Sequence, residues 1–339
     1  MKYLFGKCSH IFLLIAVLGN SFSACKSQTD FGTNLLQLEK TISLPDVKGR
    51  IDHLDINLND QVVYLAALGN NTVEVIDLGS GKVIHRIRDL DEPQGVCYIP
   101  GQQEIMVANG GNGDCYFYNA RSFEKVATVH LSSDADDVRY YPEEGKVYVG
   151  YGSGGIAIID AATHKLTGDI KLPGHPESFQ IDRKLNRLFV NVPDAKMVGV
   201  INLGQMKLEE KWTRDSPTAN FPMAVDTVLH YLFIGYRHPS KLVVLDGLTG
   251  KDISINSMTG DADDLYFDHT SSNVYVSGGD GAISIFQQQS LNGYKQVANI
   301  STSSGARTSL LVAELNLFIL AARTSPGVSA KLLVYKILK

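Results

Sequence analysis

The sequence contains the short apolar stretch Val62-Val63-Tyr64-Leu65-Ala66. Six similar stretches follow it at nearly constant spacing. With Tyr64 as the marker, the equivalent positions are 64, 106, 148, 189, 233, 275 and 318, so the steps are 42, 42, 41, 44, 42 and 43 residues. Each stretch is rich in β-branched and aromatic residues, which is typical of a strand. A repeat of this length indicates one supersecondary unit that is used seven times.

Each repeat contains further strands. A third strand follows a turn rich in Gly or Asn, as at residues 73–77, and a fourth follows a turn such as Gly79-Ser80-Gly81-Lys82. No helical periodicity is evident after residue 30. Four strands in each of seven repeats predict an all-β fold, a seven-bladed β-propeller. We place the blade starts near residues 49, 92, 134, 174, 219, 260 and 305 of one domain, residues 35–339.

The last repeat supplies only three strands before the chain ends at Lys339. We expect residues 36–44 to supply the missing outer strand, because Lys40-Thr41-Ile42-Ser43-Leu44 has the pattern of Lys125-Val126-Ala127-Thr128-Val129. This pairing would close the ring and remove an exposed sheet edge. A β-sandwich or a solenoid would not predict the missing strand.

The stretch from Gly69 to Ile84 resembles the repeat consensus of the YVTN, or YncE-like, seven-bladed propellers. Val147-Tyr148-Val149-Gly150 and Val274-Tyr275-Val276-Ser277 are similar to the signature that names that family. The resemblance covers all seven repeats and implies the fold. It implies little about activity, because members of that family are mostly exported proteins of unassigned activity.

Residues 1–24 have the features of an export signal, with a basic start and an apolar run from Ile11 to Leu18 that is too short to span a bilayer. The next residues, Ser23-Ala24-Cys25, resemble the lipobox of bacterial lipoproteins. The resemblance implies a lipid on Cys25, with residues 25–34 as a polar tether. Plain secretion and a retained or buried helix are the alternatives. We therefore predict a protein of the bacterial cell envelope, anchored by lipid and facing the periplasm or the exterior.

The composition excludes several classes of protein. With 44% hydrophobic residues the chain can bury a core, which argues against disorder. The net charge is −5, and −7 without residues 1–24, so the basic surface of a nucleic-acid binder is missing. Cys97 and Cys115 fall on the first and third strands of one blade, roughly 9.5 Å apart, so we predict buried thiols without a disulfide. We expect a monomer.

The first strand of each propeller blade lines the central channel. Alignment on the marker predicts one residue per blade at the start of this strand: Asp52, Gln94, Asp136, Glu177, Phe221, Asp263 and Ala306. The next positions hold His53, Gly95, Asp137, Ser178, Pro222, Asp264 and Arg307. Several carboxylates, a histidine and an arginine are therefore predicted at one channel mouth.

Blades 3 and 6, which face each other across the channel, repeat a tetrapeptide: Asp134-Ala135-Asp136-Asp137 and Asp261-Ala262-Asp263-Asp264. Crowded carboxylates need a counter-charge. A divalent cation such as Ca²⁺ is one candidate, and the histidine would shift the preference towards a transition metal. The predicted metal ligands are Asp136, Asp263, His53 and Glu177. Arg307 could instead bind a carboxylate or phosphate of a ligand.

Three interpretations of the channel mouth stay open: turn chemistry with water in the channel, ligand binding, and a metal-assisted reaction. The sequence has no Gly-x-Ser-x-Gly, P-loop or Cys-x-x-Cys motif. We therefore predict a binding protein for a small molecule or a partner protein on this face. The alternative is a metal-dependent hydrolase or lactonase acting on a sugar-like substrate. The predicted binding residues are Asp52, His53, Gln94, Asp136, Asp137, His175, Glu177, Asn220, Asp263, Asp264 and Arg307.

Overall fold

A computed structural model describes residues 1–2, 35–291 and 293–338 of the chain. The predicted export signal, Cys25 and the predicted tether up to residue 34 fall on residues outside this part, apart from residues 1 and 2. Within the described residues, no helix has the length and apolar character needed to cross a membrane.

The described chain is built from strands, which follow each other in chain order. Strand β1 spans Leu36–Leu44. Blade 1 consists of β2 (Leu54–Asn57), β3 (Val62–Ala67), β4 (Thr72–Asp77) and β5 (Lys82–Ile87). Blade 2 consists of β6 (Pro93–Ile99), β7 (Glu104–Asn109), β8 (Asp114–Asn119) and β9 (Lys125–His130). Blade 3 consists of β10 (Ala135–Tyr141), β11 (Lys146–Tyr151), β12 (Gly155–Asp160) and β13 (Lys165–Lys171).

The second half of the chain repeats the arrangement. Blade 4 consists of β14 (Phe179–Asp182), β15 (Arg187–Val192), β16 (Met197–Asn202) and β17 (Lys207–Thr213). Blade 5 consists of β18 (Thr218–Asp226), β19 (Tyr231–His238), β20 (Ser240–Asp246) and β21 (Asp252–Ser257). Blade 6 consists of β22 (Ala262–Asp268), β23 (Asn273–Gly278), β24 (Ala282–Ser290) and β25 (Gly293–Ser301). Blade 7 adds β26 (Thr308–Val312), β27 (Leu317–Ala322) and β28 (Ala330–Ile337).

Seven antiparallel four-stranded sheets form a β-propeller, as predicted. The first six sheets use consecutive strands, whereas the seventh has the order β1-β28-β27-β26. Ile42 pairs with Leu332 and Leu44 pairs with Ala330, so the N-terminal strand is the outer strand of the last blade. The prediction that residues 36–44 close the ring is confirmed, and the closure leaves β28 without a free edge.

The hydrophobic core lies between successive blades. One cluster joins blade 7 to blade 1 through Ile42, Leu332 and Val63, which are almost fully buried. Another joins blades 1 and 2 through Tyr64 and Val107. The marker residue of each repeat belongs to this core, since the side chains with the largest buried volumes include the markers of blades 1, 3, 4, 5, 6 and 7. The marker, which is aromatic in every blade except blade 2, where it is Met106, is therefore one of the residues that pack each blade against its neighbour.

Cys97 and Cys115 are both free and buried, which confirms the prediction of thiols without a disulfide. Burial raises the pKa of both thiols, so neither is a ready nucleophile. Two further histidines contact neighbouring blades. His164 lies 2.8 Å from Glu104, and His230 lies 2.6 Å from Asp182.

Candidate functional site

A cavity of about 380 Å³ lies where the first strands of the blades converge. Seven of the eleven predicted binding residues line its wall: Asp52, His53, Asp136, Asp137, Glu177, Asp263 and Asp264. The strand starts therefore bring carboxylates from four blades together, as the repeat alignment predicts.

In each repeated tetrapeptide, the first Asp forms a turn and the last two acids line the cavity. Asp134 and Asp261, the first residues of the two motifs, have left-handed backbones with φ of 41° and 51°. Asp tolerates this conformation better than most residues do. Their carbonyl oxygens accept hydrogen bonds from the N–H groups of Gly152 (3.0 Å) and Gly279 (2.9 Å), which follow the second strands of the same blades. The first Asp thus shapes the turn, and the next two acids of each motif reach the cavity.

The alignment of blade 7 is wrong by two residues. Leu54 in blade 1 pairs with Leu65, eleven positions along the chain, whereas Leu310 in blade 7 pairs with Ile319, only nine positions along. The hairpin between the first and second strands is therefore two residues shorter in blade 7. The true equivalents of the two mouth positions are Thr308 and Ser309, not Ala306 and Arg307.

Arginines that the alignment did not select supply counter-charges to the acids. Arg50 lies 2.8 Å from Asp52. Arg139, on the same strand as Asp137, binds Oδ1 of that carboxylate. Arg50 and Arg139 both line the cavity. The one signal for them in the sequence is that each is a basic residue two positions from an aligned acid.

A second pair of arginines encloses Asp263. Arg307 Nε lies 2.8 Å from Asp263 Oδ2, and Arg307 Nη1 lies 2.9 Å from Asp261 Oδ1. Arg237 binds the other oxygen of Asp263 and stacks on the ring of Phe221, with its guanidinium carbon 3.6 Å from the ring centroid. Arg237 belongs to β19, which at eight residues is longer than the six-residue second strands of blades 1 to 4. The repeat alignment does not show this extension and therefore gave no signal for Arg237.

Two histidines connect the acids. His53 Nδ1 lies 3.5 Å from Asp264 and Nε2 lies 3.8 Å from Asp52. Burial opposes the protonation of His53, but the carboxylate of Asp264 and the nearby Asp52 outweigh it and hold the pKa of the imidazole well above its usual range. His175 Nδ1 donates to the carbonyl oxygen of Gly152 at 2.6 Å, while Nε2 lies 3.6 Å from Asp136.

Burial and nearby acceptors also have opposite effects on the pKa of His175. Burial disfavours its charged form, but the interactions with Asp136 and the Gly152 carbonyl raise the pKa of this histidine to about 9. His175 is therefore a cation at neutral pH, and the pKa of His53 is shifted in the same direction. For Asp136, burial raises the pKa, yet His175 and His53 outweigh it and the pKa is lowered. Asp136 is consequently ionised at neutral pH.

The other acids respond mainly to burial. Burial raises the pKa of Asp52 to about 7 and that of Glu177 to about 8, and the negative charge of Asp136 adds to both shifts. Burial also raises the pKa of Asp137 and of Asp263. These acids therefore bind a proton more tightly than exposed carboxyl groups do.

One buried acceptor in the cavity wall has no donor within the described part of the chain. The side chain of Asp137 is only 4% exposed, and its Oδ2 accepts no hydrogen bond among these residues. Buried oxygens of this kind cost free energy unless a donor reaches them.

The wall becomes apolar one position further along each strand. Leu54, Val96, Val138, Met223, Leu265 and Leu310 all line the cavity and are buried. Beyond them, Asp55 accepts the N–H of Tyr98 at 2.6 Å, and burial raises the pKa of this acid to about 6. The cavity thus has a charged mouth above an apolar section.

The remaining predicted residues lie beside the cavity or away from it. Gln94 donates to Asp134 at 3.0 Å, and His175 and Arg307 contact acids of the wall from outside. Asn220 is 1% exposed, and its amide donates to Asn191 Oδ1 and the Met197 carbonyl, both at 2.9 Å. It therefore connects blades 4 and 5 and does not line the cavity.

The four predicted metal ligands lie in the same cavity. Asp136, Asp263, His53 and Glu177 share the cavity wall. However, no group of three or more His, Cys, Asp or Glu side chains within residues 1–2, 35–291 and 293–338 is arranged to hold a metal ion. In this part of the chain, the counter-charges of the acids are arginines and histidines.

Comparison with known proteins supports the fold. No protein-family model and no curated protein matches the chain. A chain from the crystal structure of the mitotic checkpoint complex is similar, with a TM-score of 0.76 and 16% identity over 99% of this chain and 100% of that one. A chain of hydrazine synthase from Kuenenia stuttgartiensis has a TM-score of 0.73 and 13% identity, over 85% of this chain and 96% of that one. At these identities the likeness shows a β-propeller and no activity.

Proposed function

We propose that this protein is a lipid-anchored binding protein of the bacterial cell envelope, of the YVTN or YncE-like type, which binds a small molecule in its central cavity. One observation carries the binding function. The cavity of about 380 Å³ combines a charged mouth, an apolar section and an unpaired Asp137 oxygen. Small-molecule sites typically have this size and combine apolar walls with a few polar groups that fix orientation.

A ligand screen tests the binding function. Purified protein is mixed with a library of metabolites that includes sugars, acids and amines, and its melting temperature is measured. A ligand of the cavity stabilises the folded state by mass action, so the melting temperature rises with its concentration. The rise should disappear in the Asp137→Asn variant. A library without any hit that depends on Asp137 contradicts the proposal.

The envelope location rests on the predicted export signal, residues 1–24, and on Cys25, and it needs its own test. In a Cys25→Ser variant we expect the protein to leave the membrane fraction of the producing bacterium, because the acceptor of the lipid is lost. A Cys8→Ser variant is the matched control and should stay with the membrane. A Cys25→Ser protein that remains in the membrane fraction overturns the lipid anchor.

A second function, hydrolysis of a sugar-like substrate, is favoured by one pair of acids. The pKa of Asp136 is lowered, whereas burial raises that of Glu177 to about 8, so one acid is ionised while its neighbour holds a proton. Acid–base catalysts are often separated in this way. Turnover of nitrophenyl glycosides or lactones, abolished by Glu177→Gln, would support this function. The absence of turnover above the blank across the panel would reject it.

A further inference from the structure

We propose that the cavity selects a small organic cation, and that a ligand ammonium or guanidinium group donates a hydrogen bond to Asp137 Oδ2. This inference rests on the proposed small-molecule function and specifies the chemical class of the ligand.

The charge of the wall is the first argument. Seven carboxyl groups line the cavity: Asp52, Asp55, Asp136, Asp137, Glu177, Asp263 and Asp264. The cations of the same wall are Arg50, Arg139 and His53. Arg237 and Arg307 add charge from outside, but both bind the single acid Asp263 and its neighbour Asp261. His175 contacts Asp136 from outside as well. Among the residues that line the cavity, the carboxyl groups still outnumber the cations, which favours a cationic ligand over an anionic one.

The unpaired acceptor of Asp137 is the second, independent argument. Asp137 lines the cavity and is held in place because its Oδ1 binds Arg139, while its Oδ2 has no donor among the described residues. Glu177 lines the same wall. A charged N–H donor would satisfy such oxygens by charge-assisted hydrogen bonds, which are about twice as strong as neutral ones.

The size and lining of the cavity favour an organic cation over a bare ion. A cavity of about 380 Å³ accommodates a molecule of several heavy atoms. Metal ions need several ligands at fixed short distances, and the described residues offer no such group. The apolar section formed by Leu54, Val138 and Leu265 can contact the carbon skeleton of an amine.

The titration behaviour of the wall agrees with this assignment. Burial raises the pKa of Asp137, and it raises that of Glu177 to about 8. A bound cation would stabilise the ionised carboxylates, so protons should be released on binding at neutral pH. Neutral ligands would have no such effect.

Three probes of equal chain length and different charge test the ligand class. They are 1,4-diaminobutane, 1,4-butanediol and succinate, titrated into the protein by isothermal calorimetry at pH 7. We expect the diamine to bind at least about tenfold more tightly than the other two, with an affinity that falls as NaCl is added, because salt screens charge pairs. Binding of the diol or succinate with equal or greater affinity overturns the cation assignment, as does a failure of the diamine to bind.

Variants locate the site. Asp137→Asn keeps an oxygen for Arg139 but replaces the free acceptor by an amide donor, so diamine affinity should fall at least about tenfold. Glu314→Gln is the matched control, since this exposed acid lies beyond the end of β26 that is remote from the mouth. Circular dichroism checks that both variants fold. If Asp137→Asn does not fold, Glu177→Gln serves as a second cavity variant. Unchanged affinity in the folded cavity variant overturns the site.

The two proposals fail separately. If neutral or anionic library compounds bind in a manner that depends on Asp137 while the diamine does not, the cation assignment fails and the small-molecule function stands. If no compound of any charge requires Asp137, both proposals fail.

Discussion

Arg307 Nε lies 2.8 Å from Asp263 Oδ2 and thereby joins blade 7 to blade 6 at the mouth of the central cavity. The side chain of Asp263 is only 12% exposed, so a lost partner cannot be fully replaced by water. Arg237 approaches the same acid from blade 5. One buried carboxylate therefore connects three consecutive blades, and its counter-charges should contribute to the stability of the ring.

We expect Arg307→Met to lower the free energy of unfolding by about 1–3 kcal/mol, because Asp263 would keep only one of its two cationic partners. The measurement is urea denaturation at pH 7. Arg88→Met, at an exposed arginine just after β5, is the control and should change stability by less than about 0.5 kcal/mol. Adding Asp263→Asn to Arg307→Met should recover part of the loss, since no buried charge then lacks its partner. Equal stability of wild type and Arg307→Met would show that the ion pair contributes nothing.

The pH dependence of stability should reflect the raised pKa of Glu177. Its folded pKa of about 8 exceeds the usual 4.5, so the folded state binds the proton more tightly than the unfolded state between these values. Its stabilising contribution is therefore fully present below pH 4.5 and is lost as the pH rises to about 8. Glu177→Gln should flatten the fall in melting temperature between pH 5 and 8, whereas Glu314→Gln should leave the profile unchanged. A slope that Glu177→Gln does not alter would contradict this role.

His175 should contribute in the same direction but over a higher range. Its folded pKa of about 9 lies above the usual 6.5, so the stability that comes from its charge is present below pH 6.5 and is lost as the pH rises through about 9. In an NMR titration, the imidazole resonances of His175 should shift only near pH 9. The Asp136→Asn variant should move this midpoint towards 6.5, because it removes the main carboxylate partner. A midpoint near 6.5 in the unmodified protein would contradict the ion pair.

The fold could be predicted from the sequence because its signals are local. A large buried marker such as Tyr64 recurs at nearly constant spacing, because each blade must pack the same position against its neighbour. The closing strand was predictable for a related reason: a seventh blade with three strands leaves an edge, and residues 36–44 carry the pattern of an outer strand.

The site was only partly predictable. The acids occupy equivalent positions in the repeat, so Asp136 and Asp263 could be aligned, but their counter-charges have no fixed place in it. Arg237 meets Asp263 from a different blade, 26 residues away in sequence, and only the folded ring shows this contact. The shortened hairpin of blade 7 was also invisible, because the marker Phe318 keeps its spacing while the register of β26 changes.

Chelation should leave the protein unchanged if arginines and histidines are the counter-charges of the acids. We expect no stoichiometric metal by elemental analysis of the purified protein, and no change in melting temperature with EDTA, because the described residues offer no group of three ligands. The Asp136→Asn/Asp263→Asn double variant should therefore show the same metal content as wild type. One calcium or zinc per chain that disappears in the double variant would contradict this expectation and support the predicted metal centre.

Closure of the ring should be the most sensitive point of the fold. Ile42 on β1 is 1% exposed and packs in the cluster that joins blades 7 and 1, so Ile42→Ala should lower the free energy of unfolding by about 2–5 kcal/mol through lost burial and a cavity. Leu38 lies on the same strand but is 49% exposed, and Leu38→Ala should cost less than about 1 kcal/mol. Urea denaturation measures both variants. Equal losses for the two would mean that β1 does not close the ring in solution, because the contrast depends on Ile42 facing the interface between the blades.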